Sequence, residues 1–268
     1  MQMDVLLVTI YNRSITDSST VKSFLNECKK YHNRITLFVW DNSTDEAVRK
    51  VNNGYKPQVV DYVFYQAEHN TSLSKVYNTA ICEAYQAQFL FNFDQDSVID
   101  NHYFDVFYDC SEKYEGIGLF CPLVYHNDKC LSPGKLGVLK NHYIKRPQIG
   151  LISSHNMLAI TSGVVLCLPV IIKNDLRYDE NLNLYGIDLK FCIDYAKKIN
   201  RMVVFDYRLK HDLSIFDNTE DAKKKLYRLN NNFHADIYIS KARGNNLIRC
   251  FYIVTRYWFN LLKIKLYM

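Results

Sequence analysis

Four short apolar runs, at residues 5–10, 35–40, 62–65 and 89–93, are separated by stretches whose apolar residues recur at helical spacing, at about 20–31, 45–52 and 72–86. An apolar run of this length suits a strand and is too short for a buried helix; without polar alternation it is a strand covered on both faces. Strand and helix in turn leave little choice of topology, because parallel strands need crossovers and right-handed helical crossovers cover both faces of one sheet. The chain is therefore expected to be α/β, with a mainly parallel central sheet and helices on both faces. Ligands of such sheets bind beyond the carboxyl ends of the strands. The four exits here carry Tyr11-Asn12, Asp41-Asn42, Asn70 and Asp94-Gln95-Asp96-Ser97, one acidic and amide-rich rim. Asn42, Ser43 and Thr44 are residue types that turns and helix caps use anyway and are read as such.

The second half is less regular. A strand is expected at 116–122, then a long loop over 123–150 carrying Pro133-Gly134 and Gly137, suited to contacting a variable substrate. Residues 150–172 hold no Asp, Glu, Lys or Arg, but Ser153, Ser154, His155, Asn156, Thr161 and Ser162 crowd the first part. Only 164–172 is continuously apolar, too short to span a membrane, and reads as a buried strand leading to a turn at Pro169. A helix at 185–199 and a strand at 202–205 follow, the latter leading to Lys210-His211-Asp212.

The net charge of +5 is unevenly spread, with Lys223-Lys224-Lys225, Lys241, Arg243, Arg249, Arg256, Lys263 and Lys265 all in the last fifth. No zinc-finger, RRM, KH or helix-turn-helix signature accompanies that charge, so nucleic acid is set aside and a membrane surface is the better anionic partner. The helix expected at 247–267 interleaves these cations with Phe251, Trp258 and Phe259. Such a segment either lies in a membrane interface or packs on the domain and snorkels its charges. Eight scattered cysteines without a C-x-x-C pair read as reduced, mostly buried thiols. Met1 runs straight into a strand without a basic n-region, so the chain reads as cytoplasmic, peripheral on the inner face of the cell membrane.

Two carboxylates one residue apart at a strand exit, Asp94 and Asp96, can share a hard divalent cation, Mg²⁺ or Mn²⁺, which neutralises a diphosphate leaving group. The alternative for a bare Asp-x-Asp is a helix cap and a surface carboxylate; its place after an apolar strand favours the site. Asp188, at a helix start after Tyr185-Gly186, is the candidate base for an attacking hydroxyl. Its alternative is a carboxylate held by the helix dipole, with a low pKa and no chemistry. His211 can add a neutral imidazole to the metal.

These elements resemble the inverting glycosyltransferases of the GT-A fold, family 2, and within them the rhamnosyltransferase-like branch of bacterial polysaccharide assembly, over roughly 5–214. Thr9 and Tyr11-Asn12, with Val39-Trp40-Asp41-Asn42-Ser43, resemble that family's nucleotide-base pocket, which implies that Asp41 accepts the ring N3–H of uracil or thymine. Asn70, Ser74 and Asn78 match the Asn-rich helix start beneath the donor. In Phe93-Asp94-Gln95-Asp96-Ser97 the resemblance turns Asp94, beside Gln95, to the ribose and Asp96 to the metal, with His211 as a further ligand. Thr161-Ser162-Gly163 resembles the segment lining sugar and acceptor, and Asp188 falls where the family places its base.

The resemblance implies a catalytic domain at 1–215, with a nucleotide-sugar half at about 1–100, an acceptor half at 101–215 and a helical appendage at 216–268. Donor and acceptor would be a UDP- or dTDP-sugar and a hydroxyl of a growing glycan or lipid-linked saccharide. Three departures stand out. Lys190 and Asp194 replace the branch's usual Glu and Arg, with signs swapped together, so that a helical salt bridge is expected to survive. Ser214 replaces a common Gly, and Gly186-Ile187 precede the base in place of an acidic neighbour. Two other functions stay open: a haloacid-dehalogenase-like phosphatase using Asp94 as nucleophile and Asp96 as acid, and an inactive nucleotide-binding member of the same fold.

Overall fold

The computed structural model describes residues 3–210, 222–244 and 247–266. β1 (Asp4–Ile10), α1 (Ser19–Glu27), β2 (Ile35–Asp41), α2 (Glu46–Asn53), β3 (Tyr62–Gln66), α3 (Leu73–Glu83) and β4 (Phe89–Asp94) follow the predicted alternation. β3, β2, β1 and β4 lie side by side in that order, all parallel. Beyond them come α4 (Asn101–Ser111), β5 (Leu119–His126), β6 (Lys129–Ser132), β7 (Gly134–Lys135), β8 (His142–Tyr143), β9 (Gly150–Ser153), β10 (Met157–Leu158), β11 (Val164–Cys167), α5 (Leu168–Lys173), α6 (Ile187–Lys198), β12 (Arg201–Lys210), α7 (Ala222–Ala242) and α8 (Leu247–Leu266). β11 inserts antiparallel between β4 and β5, β12 runs parallel to β5, and β9 closes that edge antiparallel. β7, β8 and β10 form a small second sheet.

The twofold alternation of each strand divides the core into two layers. On one face Leu6, Val8, Phe91 and Phe93 pack with Phe24 of α1 and Tyr103, Phe104 and Phe107 of α4. On the other Leu7, Phe38, Trp40 and Leu90 pack with Val76 and Ala80 of α3 and Phe191 and Tyr195 of α6. Each buried side chain of this size stabilises the fold by about 1.5–3 kcal/mol.

Three expectations need correction. α4 was not anticipated, although Asp100 caps it by accepting the Tyr103 N–H at 3.1 Å and its apolar residues fall on one face. The apolar run at 164–172 is not one strand: β11 ends at Cys167 and α5 begins, with Pro169 in its first turn, where the missing N–H has no partner to lose. The stretch 123–150 is not wholly loop, because it completes β5 and supplies β6, β7 and β8.

α7 joins the domain by burying Ala235 and Ile239 in the layer that holds Leu182 and Ile187. α8 packs antiparallel on α7, with Phe233 and Tyr257 ring centroids 4.3 Å apart and the Arg256–Asp236 ion pair between them. Arg249 is buried and donates to the Val138 carbonyl at 3.2 Å. Packing on the domain therefore holds for α7 and the inner side of α8, while the outer side of α8 is bare. No helix among the described residues is long and apolar enough to cross a membrane.

Candidate active site

A cleft of about 830 Å³ opens at the carboxyl ends of β1 and β4. Thr9, Tyr11, Asn70, Asp94, Gln95, Asp96 and Asp188 all line it, so these expected site residues, from both halves of the chain, meet in one place. Register explains part of this. Paired residues of parallel neighbours project to the same face, and Thr9 pairs with Asp94 on one side and Trp40 on the other. The Thr9 hydroxyl is buried on the cleft wall without a hydrogen-bond partner among the described residues.

The β4 exit is braced from several directions. Gln95 Oε1 accepts the Tyr11 N–H at 2.9 Å, tying the ends of β1 and β4 together. Ser18 donates to the Gln95 carbonyl at 2.8 Å, and Thr20 accepts the Ser97 N–H at 2.9 Å. Ser162 accepts the Asp94 N–H at 3.3 Å and shares a 2.9 Å hydrogen bond with the Ser97 hydroxyl. These bonds tie the loop to β1, to α1 and its cap, and to the segment before β11. Burial, then the charges of Asp96 and Asp188, push the Asp94 carboxyl up to about 7.

Asp188 stands in the first turn of α6, whose cap Gly186 takes a φ of 77°. A Cβ there would lie 2.8 Å from Ile239 Cδ1 and 3.0 Å from Ala235 Cβ, so α7 packs directly on the turn that aims Asp188. Its carboxylate accepts from the Thr161 hydroxyl, and from the Thr161 N–H at 3.3 Å. Burial raises the Asp188 pKa despite these bonds and its own backbone N–H. The direction is opposite to the lowering that a helix dipole alone produces. The expected Lys190–Asp194 pair is present, and Lys190 also reaches Asp179 at 3.2 Å, fixing the approach to the same helix.

Other expected residues lie elsewhere. Asp41 is fully buried, accepting from Ser43 N at 3.0 Å, Asn52 Nδ2 at 3.1 Å and Gln66 Nε2 at 3.0 Å, so it is not presented to a base. It pairs with Ile10, one step from the Thr9–Trp40 pair, and projects to the opposite face. Asn12, at a φ of 46°, clamps the β1 and β2 exits by accepting from Thr44 N at 2.8 Å and Asp45 N at 3.0 Å. Ser74 donates to the Leu182 carbonyl at 2.6 Å. Asn78 donates to the Tyr178 carbonyl at 2.9 Å and accepts the Tyr178 N–H at 2.8 Å. These two fasten α3 to the loop before Asp188 and do not line the cleft. His211 lies outside the described residues.

Three residues were missed. Asn42, taken for a turn residue, lines the cleft and orients Asn70 by donating to its Oδ1 at 2.9 Å, while accepting the Thr71 N–H at 2.7 Å. Tyr77, on the buried face of α3, underlies the cleft between Asp94 and Asp188, and burial followed by those two charges raises its pKa well above the ordinary value. Tyr227 of α7 also lines the cleft, an appendage residue for which the sequence carries no signal.

Among the described residues no group of three or more His, Cys, Asp or Glu side chains gathers closely enough to hold a metal ion. The donor set nevertheless suits a shared site. Asp94 and Asp96 are hard oxygen donors, their mutual repulsion is felt in the raised Asp94 pKa, and Mg²⁺ ordinarily completes its shell with phosphate oxygens and water.

No protein-family model and no curated protein matches the chain in sequence. Solved structures do resemble it. S. aureus TarS 1-349 in complex with UDP aligns over 88% of this chain and 65% of that one, at 15% identity and a TM-score of 0.60. The same fragment with UDP-GlcNAc aligns over 88% and 66% at 14% identity, TM-score 0.57. GalNAc-T7 with UDP, GalNAc and Mn²⁺ aligns over 78% and 44% at 13% identity, TM-score 0.60. The chain thus spans less than two thirds of the TarS fragment's length, 65%. At such identities the likeness concerns architecture, and on that ground this chain has the GT-A fold.

Proposed function

We propose that this chain is an inverting glycosyltransferase of family 2, in the rhamnosyltransferase-like branch, moving a hexose or deoxyhexose from a UDP- or dTDP-sugar to a hydroxyl of a growing glycan or lipid-linked saccharide. The observation that carries the reading is the meeting of Asp94 and Asp96 with Asp188 in one cleft at the strand ends of a GT-A sheet. The neighbours described with UDP and UDP-GlcNAc support the nucleotide class, and the one with Mn²⁺ supports the cation. The Thr9 hydroxyl, buried and unpartnered among the described residues at the cleft wall, is a group that a bound nucleoside satisfies. Residues 1–100 serve the donor and 101–215 the acceptor, with 216–268 appended. Eight free thiols suit a reducing cytoplasm, at the inner face of the cell membrane.

In this reading Asp188 accepts the proton of the acceptor hydroxyl as its oxygen attacks the anomeric carbon from the face opposite the diphosphate, so that configuration inverts. A raised pKa makes the carboxylate a better base than an exposed one, and the Thr161 hydroxyl and N–H hold its orientation. Asp94 and Asp96 would hold Mg²⁺ or Mn²⁺, which when bound stabilises the departing nucleoside diphosphate. Gln95 keeps both carboxylates aimed by locking the loop to Tyr11. The position of the motif after β4 of a GT-A sheet weighs against the phosphatase.

Thermal shift with UDP, dTDP, GDP and CMP, each with Mn²⁺, tests the assignment. Selective stabilisation by one uracil or thymine nucleotide is expected. Turnover of generic phosphomonoesters without hydrolysis of any nucleotide sugar overturns it.

A further inference from the structure

The outer side of α8 is an unusual surface. Leu247, Ile248, Phe251, Trp258, Phe259 and Leu262 are all more than half exposed, from 57% for Trp258 to 80% for Leu247. At 100° per residue they share one side of the helix, opposite the buried Arg249 and Ile253. An exposed contiguous apolar face of this kind marks an interaction surface.

Its charge says which. From residue 237 to the last residue there is no Asp or Glu. Arg249 is engaged by the Val138 carbonyl of the domain and Arg256 by Asp236 of α7. Lys263 and Lys265 stand exposed at the far end of α8, and Lys223 and Lys224 at the start of α7. The antiparallel register is fixed by Phe233 against Tyr257 and by Ser240 beside Cys250. Continued along the hairpin, it gathers these four lysines at one end and sets Tyr227 level with Lys263. Tyr227 lines the cleft.

We infer that α8 lies in the plane of an anionic lipid bilayer with this face inserted, and that its basic end holds the cleft mouth against the headgroups. Aromatic and aliphatic side chains enter the headgroup boundary while the lysines meet lipid phosphates. Given the glycosyl transfer proposed above, on which this last step rests, the acceptor is then a saccharide carried on a lipid of that surface. Attachment itself does not depend on the transfer reading.

The two tryptophans make the test direct, because Trp40 is 3% exposed and Trp258 57%, so a change in emission on attachment reports Trp258. The full chain is mixed with vesicles of pure phosphatidylcholine, or of two parts phosphatidylcholine to one part phosphatidylglycerol, and followed by flotation and emission. Expected are co-flotation with the anionic vesicles, a blue shift quenched by brominated acyl chains, and release by salt. Each lysine near the surface contributes about fivefold in partitioning. Lys263→Gln with Lys265→Gln therefore weakens binding about 30-fold, and Phe251→Ser with Phe259→Ser abolishes it; both pairs are exposed, and a thermal unfolding transition like the parent's, measured without ligand, reports that the fold is intact. Equal binding to both vesicles, no binding to either, or a concentration-dependent dimer that shifts Trp258 emission without lipid each overturns the inference. Anionic-vesicle binding without stabilisation by either UDP or dTDP leaves the anchor standing and removes the transfer reading instead.

Discussion

Replacing Thr161 by valine keeps the shape of the side chain and deletes one hydroxyl, the one that donates to Asp188. A hydrogen bond to a charged group is worth about 1.5–3 kcal/mol, and a pH unit corresponds to about 1.4 kcal/mol. The variant's acid limb is therefore displaced by about one to two pH units. The direction follows from the state Asp188 must be in. As a base it has to be ionised, so kcat/KM falls as pH drops through its folded-state pKa. Burial has already raised that pKa, and losing a donor raises it further. The acid limb moves up and the alkaline limb stays. Stability follows the same sign: a raised carboxyl pKa contributes stability fully present below the unfolded pKa and lost as pH rises through the folded one. Thr161→Val is accordingly less stable than the parent at neutral pH and nearly equal to it in acid. Release of nucleoside diphosphate from the donor, followed across pH with acceptor present, gives the profile. A lowered Tm with an unmoved acid limb refutes the role of Asp188 as base.

Gly186→Ala forces a φ of 77° on a residue with a Cβ and drives it into Ile239. The backbone alone costs about 1–2 kcal/mol, and turnover drops with Asp188 displaced; a variant as stable and active as the parent in urea unfolding and assay refutes this fit. Asp41→Asn turns one acceptor oxygen into a donor facing Ser43 N, Asn52 or Gln66, destabilising by about 1–3 kcal/mol with UDP affinity retained. Loss of UDP affinity at unchanged stability would restore Asp41 to the base pocket. Asn78→Ala frees the loop before Asp188, lowering kcat while donor affinity measured by titration holds; weakened donor binding with kcat unchanged makes Asn78 a donor contact after all.

The first hundred residues were legible because β1, β2 and β4 are buried on both faces, β3 closes the edge with Val63 and Tyr65 exposed, and α1 and α3 each bury one apolar side. The rest was less so for identifiable reasons. α4 is built from Tyr103, Phe104, Phe107 and Tyr108, aromatic residues common in strands, and only the Asp100 cap and their spacing betray a helix. The run at 164–172 carries no polar residue at the point where β11 becomes α5, so periodicity has nothing to grip until Pro169. Tyr227 reaches the cleft through a tertiary packing of α7 that no local pattern encodes.

Ser74 and Asn78 show a different limit. Both are polar residues on the inner face of a helix beneath a ligand cleft, which suits a donor contact and a structural staple equally well. Their partners decide between these, and those partners are 108 and 100 residues further along the chain. Asp41 is instructive in the opposite sense, because its fate was readable. Strand side chains alternate strictly, so Asp41 shares a face with Leu37 and Val39, while Thr9 shares one with Leu7 and Asp94 with Leu90. Once β1, β2 and β4 are neighbours in parallel, Asp94 and Thr9 must emerge on the side of α3 and α6, and Asp41 on the side of α1 and α4. A polar residue at a strand exit is thus half a prediction. Its parity relative to the apolar residues before it decides whether it meets the ligand or, as with Asn52 and Gln66 around Asp41, the frame that holds the ligand's loops in place.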